Sequence, residues 1–86
     1  MGLLHLNIVY SRLAVKTING LDTDVKQRIK SAIEGLPKGD VKQLKGRDIT
    51  TYRLRIGGWR VLYSLANNDT VFIEKISPRG QAYKGV

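Results

Sequence analysis

The chain has 86 residues, with no cysteine, one histidine, two prolines and seven acidic residues. Without thiols there is no disulfide framework and no thiolate metal or redox centre. His5 is the lone imidazole, which argues against both a zinc site and a Ser-His-Asp triad. Long apolar runs are also missing: none approaches the roughly 20 residues that span a bilayer. The first residues lack the charged segment of a secretory signal, and Asn7 stands where an N-myristoylation motif wants Ser or Thr. Residues 1–86 are therefore read as a single soluble domain, expected in the cytoplasm, with no metal, no cofactor and no membrane. The composition, 42% hydrophobic and 26% charged, is that of a folded chain with a small core.

What the chain has in excess is positive charge. Fifteen Lys and Arg against seven Asp and Glu leave a net charge of +8. The excess is uneven. Residues 42–86 hold nine basic and three acidic side chains, whereas residues 1–41 hold six and four. A basic half on so small a domain points to phosphates or to an acidic protein partner.

The hydrophobic pattern orders the chain as β-α-α-β-β-β. Leu3–Tyr10 is short, apolar and rich in β-branched and aromatic residues, which predicts a strand. Ser11 is a helix N-cap, and Leu13, Ala14, Thr17, Ile18 and Leu21 recur at helical spacing up to the stop signal Asn19-Gly20. A second helix begins at Asp22 or Thr23, with the stripe Val25, Ile29, Ala32, Ile33 and Leu36, and Pro37 forbids its continuation. Two amphipathic helices joined so tightly make a helical hairpin. Lys38–Thr50 reads as a loop. The period then changes to two: Tyr52, Leu54 and Ile56, followed by Trp59, Val61, Tyr63 and Leu65, flank the two-residue turn Gly57-Gly58. After a turn at Asn67-Asn68-Asp69, Thr70–Ser77 is a further strand, whose mixed pattern predicts a bulge. The fold class is α+β, an antiparallel sheet with the helical hairpin packed on one face.

The hairpin Thr51–Leu65 carries the chemistry. Its alternation turns Tyr52, Leu54, Ile56, Trp59, Val61, Tyr63 and Leu65 toward the helices and Arg53, Arg55 and Arg60 toward the open face. A two-residue turn pairs Ile56 with Trp59 and therefore Arg55 with Arg60. Like charges placed directly opposite destabilise a sheet, so folding alone does not favour this pairing. An anionic ligand offsets it, because guanidinium groups grip phosphate in a bidentate fork. Arg79 and Tyr83 follow the last strand, and an aromatic beside arginines suits single-stranded RNA, the ring stacking a base and the cations holding the backbone.

The runs Lys42-Gln43-Leu44-Lys45-Gly46, Tyr52-Arg53-Leu54-Arg55 and Trp59-Arg60-Val61-Leu62-Tyr63, with Arg79 four residues before Tyr83, resemble the RelE/ParE toxin superfamily. The resemblance covers nearly the whole chain and is most specific from Leu44 to Tyr83. It implies the toxin of a type II toxin–antitoxin pair, neutralised by a cognate antitoxin protein. RelE-like members cleave mRNA on the ribosome, a ribose 2′-OH attacking the neighbouring phosphate; ParE-like members instead inhibit DNA gyrase. By resemblance the catalytic set is Arg53, Arg55, Arg60, Arg79 and Tyr83. Arg60 would stabilise the phosphorane, Arg79 would assist the leaving 5′-oxygen, and Tyr83 would stack on a base. Lys42, Lys45, Arg47 and Lys84 are expected to hold RNA or ribosome. The set departs from the family at the general base. RelE carries lysines where Arg53 and Arg55 stand, and Pro78 occupies a position that many relatives give to histidine. Arginine stays protonated, so the proton would go to water, to Tyr83 or to the ribosome, unless catalysis is purely electrostatic or the chain is a non-catalytic basic binding module.

Overall fold

The computed structural model describes residues 7–44, 51–66 and 69–78. Within them the elements are β1 (Asn7–Tyr10), α1 (Arg12–Asn19), α2 (Thr23–Glu34), β2 (Asp40–Leu44), β3 (Thr51–Ile56), β4 (Trp59–Ala66) and β5 (Thr70–Pro78). They form a five-stranded sheet in the order β1-β5-β4-β3-β2, with α1 against β5 and β1 and α2 against β3. The α+β class and the placement of both helices on one face are as the sequence predicts.

Two expectations need correction. The segment Lys38–Thr50 is not all loop, because Asp40–Leu44 pairs antiparallel with β3. It was obscured because Val41 and Leu44, its two apolar residues, do not alternate. Nor is the sheet wholly antiparallel: β1 runs parallel to β5, with Asn7 opposite Thr70 and Tyr10 opposite Ile73. The two helices carry the chain from β1 at one edge of the sheet to β2 at the other, and the meander β2-β3-β4-β5 then returns it beside the first strand, the long connection a parallel pair requires.

Helix α1 starts where predicted. The Ser11 hydroxyl accepts from the Ala14 N–H at 3.0 Å and donates to the Glu74 carbonyl at 2.8 Å. One side chain thus caps the helix and ties it to β5. Glu74 is the extra residue of the expected bulge, since Leu62 faces Lys75 while Tyr63 faces Ile73. The bulge explains the mixed pattern of β5: Val71 and Ile73 point inward before it and Ile76 after it, all essentially buried. With Ala14, Ile18, Ile29, Ile33, Leu36, Leu54, Ile56, Val61 and Tyr63 they make the core. Tyr52 stacks on Tyr63 at 5.3 Å between ring centroids at the margin of this core. Leu13 and Leu65 are 54% and 51% exposed, although Leu65 keeps its predicted register position opposite the inward-pointing Val71. The inward face of α1 is the narrow line Ala14–Ile18, and Leu65 lies next to the end of β4.

Candidate nucleic-acid interface

The strand registers convert sequence positions into a grid on the face that the helices leave open. One cross-strand row runs Asp40, Arg55, Arg60, Ser77. The next runs Lys42, Arg53, Leu62, Lys75, and a third Leu44, Thr51, Ser64, Phe72, Val9. Five cations and one carboxylate therefore occupy the two rows nearest the Gly57-Gly58 turn. Gly57, the first central residue of that turn, has φ +55°, the left-handed value a primed hairpin turn requires.

The predicted pairing of Arg55 with Arg60 is present. Arg55 is exposed and Arg60 half-buried. Arg53 stands one row along with a side chain only 11% exposed, and one of its terminal nitrogens donates to Asp40 Oδ1 at 3.3 Å. Its Nε is buried without a hydrogen-bond partner among the described residues. The Ser77 hydroxyl, at the end of the Arg55–Arg60 row, is likewise buried and unpartnered among those residues. Buried donors left unmatched cost roughly 1–3 kcal/mol each. Both donors border the arginine pair.

Of the predicted site, Arg53, Arg55, Arg60 and Lys42 are brought onto one face. Lys45, Arg47, Arg79, Tyr83 and Lys84 lie outside the described residues. The structure adds Asp40, Lys75 and Ser77. Asp40 was hidden because its segment read as loop, and Lys75 because the bulge reverses which residues of β5 face outward. Among the described residues no group of three or more His, Cys, Asp or Glu could hold a metal ion, and no helix is long and apolar enough to cross a membrane.

This geometry defines a small basic α+β domain that presents a guanidinium cluster on the sheet face opposite the helices. Comparison with known proteins gives the cluster its family. The family model described as the ParE toxin of the type II toxin–antitoxin system parDE matches residues 8–83. The putative toxin RelE1 of Methanocaldococcus jannaschii is 35% identical over 89 residues, spanning 94% of this chain and 98% of that protein. The chain belongs to the RelE/ParE family of type II toxins. Two solved structures share its fold. The RelB–RelE antitoxin–toxin complex from Methanococcus jannaschii matches with TM-score 0.72 at 23% identity, over 91% of this chain and 98% of that one. The RelBE2 toxin–antitoxin complex from Mycobacterium tuberculosis matches with TM-score 0.73 at 18% identity, over 88% and 100%.

Proposed function

We propose that this toxin is a RelE-like endonuclease that cleaves mRNA on the ribosome. The observation that carries the reading is the Arg55–Arg60 pair, held in register beside Arg53 on an open sheet face. Three guanidinium groups fixed by strand backbone suit a trigonal-bipyramidal phosphorane, whose charge is greater than that of the starting diester. Cations already in place where charge develops usually contribute more to catalysis than any other single effect. The ribose 2′-oxygen attacks the neighbouring phosphorus, the bond to the 5′-oxygen breaks, and a 2′,3′-cyclic phosphate remains. Arg60 and Arg55 take the equatorial oxygens. Arg79 screens the departing 5′-oxygen, which leaves with a proton from solvent, and Tyr83 stacks on a base. Asp40, held beside the cluster by Arg53, offers a carboxylate oxygen for the 2′-OH proton.

The partner is a cognate antitoxin, in keeping with the two structural neighbours, which are antitoxin–toxin complexes. An acidic antitoxin segment complements a surface of net charge +8. Toxin, antitoxin and ribosome meet in the cytoplasm. Purified toxin added to programmed ribosomes is expected to cut message at the A site and leave 2′,3′-cyclic phosphate ends. Arg60→Ala is expected to abolish cutting with the fold intact. Intact message, or undiminished cutting by that variant, refutes the reading. The match to a ParE model favours a second reading, inhibition of DNA gyrase. Loss of supercoiling in a gyrase assay, with ribosome-bound message intact, would select it.

A further inference from the structure

The open face is not uniformly cationic. In the third row, Phe72 and Val9 are register partners, 36% and 47% exposed. Leu62 stands diagonal to Phe72, between it and the arginines. Among the described residues Phe72 is the aromatic that the register puts on this face: Tyr10, Tyr52, Trp59 and Tyr63 are opposite inward-facing partners and pack on or in the core. With 36% of its surface exposed, the ring keeps an apolar area that its neighbours on this face do not cover.

We propose that Phe72, flanked by Val9 and Leu62, is a stacking platform for a base of a single-stranded RNA whose phosphates lie on the Arg55–Arg60 and Arg53 rows. The inference rests on the nuclease reading and deepens it by assigning the strand's course across the sheet. With adjacent strands ~4.8 Å apart and same-face neighbours ~7 Å apart along a strand, Phe72 lies about 14 Å from Arg60 in the sheet plane. A short single strand bridges that distance while keeping its backbone on Lys75 and Arg53. Cations tracking the backbone beside an aromatic that takes a base are the two components of single-strand recognition. The adjoining cations select a polyanion over an apolar protein segment as the occupant.

The test uses a labelled hexanucleotide with 2′-O-methyl riboses, which cannot supply the attacking hydroxyl, and the same oligomer carrying abasic positions in turn. The wild-type toxin is expected to lose roughly tenfold in affinity when the stacked base is removed, as expected for one stacked base. Phe72→Leu should weaken the intact oligomer by a similar factor and lose sensitivity to the abasic site. Phe72→Trp should keep both. Thermal melts confirm that each variant is folded. Equal affinity of wild type and F72L, or unchanged abasic sensitivity in F72L, overturns the proposal. So does a change only in self-association or in antitoxin binding. Arg60→Ala, measured in parallel, separates the two readings. If it weakens binding while F72L does not, the platform fails alone. If neither matters, the RNA-binding face itself is wrong.

Discussion

Gly39 is the position where a single methyl group should do most damage to the site without touching an arginine. Its φ is +123°, a value far from the left-handed well near +57° that Asn tolerates. A Cβ built there would stand 2.9 Å from Leu54 Cδ1, and Leu54 is 1% exposed, with little space to retreat into. The backbone strain costs about 1–3 kcal/mol, and forcing a carbon against a packed core side chain costs about 1–3 kcal/mol more. Gly39→Ala is therefore expected to lose about 2–6 kcal/mol. At about 4–8 °C per kcal/mol for a domain of this size, that lowers Tm by roughly 8–48 °C. Leu54 lies between Arg53 and Arg55, and Asp40 follows Gly39, so the clash should also loosen the Asp40–Arg53 ion pair. Urea and thermal unfolding of Gly39→Ala, Leu54→Val and the double variant measure the two contributions. The double variant should destabilise by less than the sum of the singles, because the smaller side chain relieves the clash and leaves only the strain. Gly58→Ala is the control: nothing lies within 4 Å of its Cβ, and its φ is not in the left-handed range. Its change should stay within about 0.5 kcal/mol. A Gly39→Ala protein as stable as wild type would refute the reasoning.

Arg55→Thr removes the like-charge cross-strand pair and adds a β-branched residue. It should raise stability by about 0.2–1 kcal/mol at low salt, with a smaller gain near ~0.5 M salt, where screening is strong, while reducing RNA affinity. A loss of stability at low salt would show that favourable contacts of Arg55 outweigh its repulsion from Arg60. Ser11→Ala removes both the cap and the bond to the Glu74 carbonyl, and should cost about 1–2 kcal/mol in urea unfolding. An unchanged midpoint would show that the cap is dispensable. Burial, with a smaller contribution from Tyr52, pushes the Tyr63 phenol above its ordinary 10.0. The folded state thus holds that proton more tightly than the unfolded chain. This contribution is fully present below pH 10.0 and is lost as pH rises through the folded pKa. Tyr63→Phe should flatten the alkaline fall in stability, whereas an identical pH profile would assign that fall to other groups.

Period-two patterning and a two-residue turn made the hairpin legible, including the register that joins Arg55 to Arg60. Helical spacing and the Ser11 cap located both helices. What stayed hidden depends on partners distant in sequence. Strand β2 buries little and carries its apolar residues out of alternation, so only its pairing with β3 reveals it and brings Asp40 to Arg53. The bulge at Glu74 inverts the code of β5 midway; the sequence signals an irregularity but not its place, and without the place Lys75 and Phe72 have no assigned face. The parallel partnership of β1 has no local signature at all. Arg79 and Tyr83 rest on resemblance to the family.

That parallel pairing bears on how the toxin comes into being. The contact between Ser11 and Glu74 spans 63 positions, so β1 must wait for β5 before it can dock. Contacts of such high sequence separation form late and slow folding. The hairpin, with its neighbours in sequence, can assemble earlier. Stopped-flow refolding should therefore show variants at the β1–β5 seam changing mainly the unfolding rate, and variants at the Gly57-Gly58 turn changing the folding rate. For a chain whose proposed target is the ribosome, the sheet that carries the arginine rows is complete only after β5 has been made.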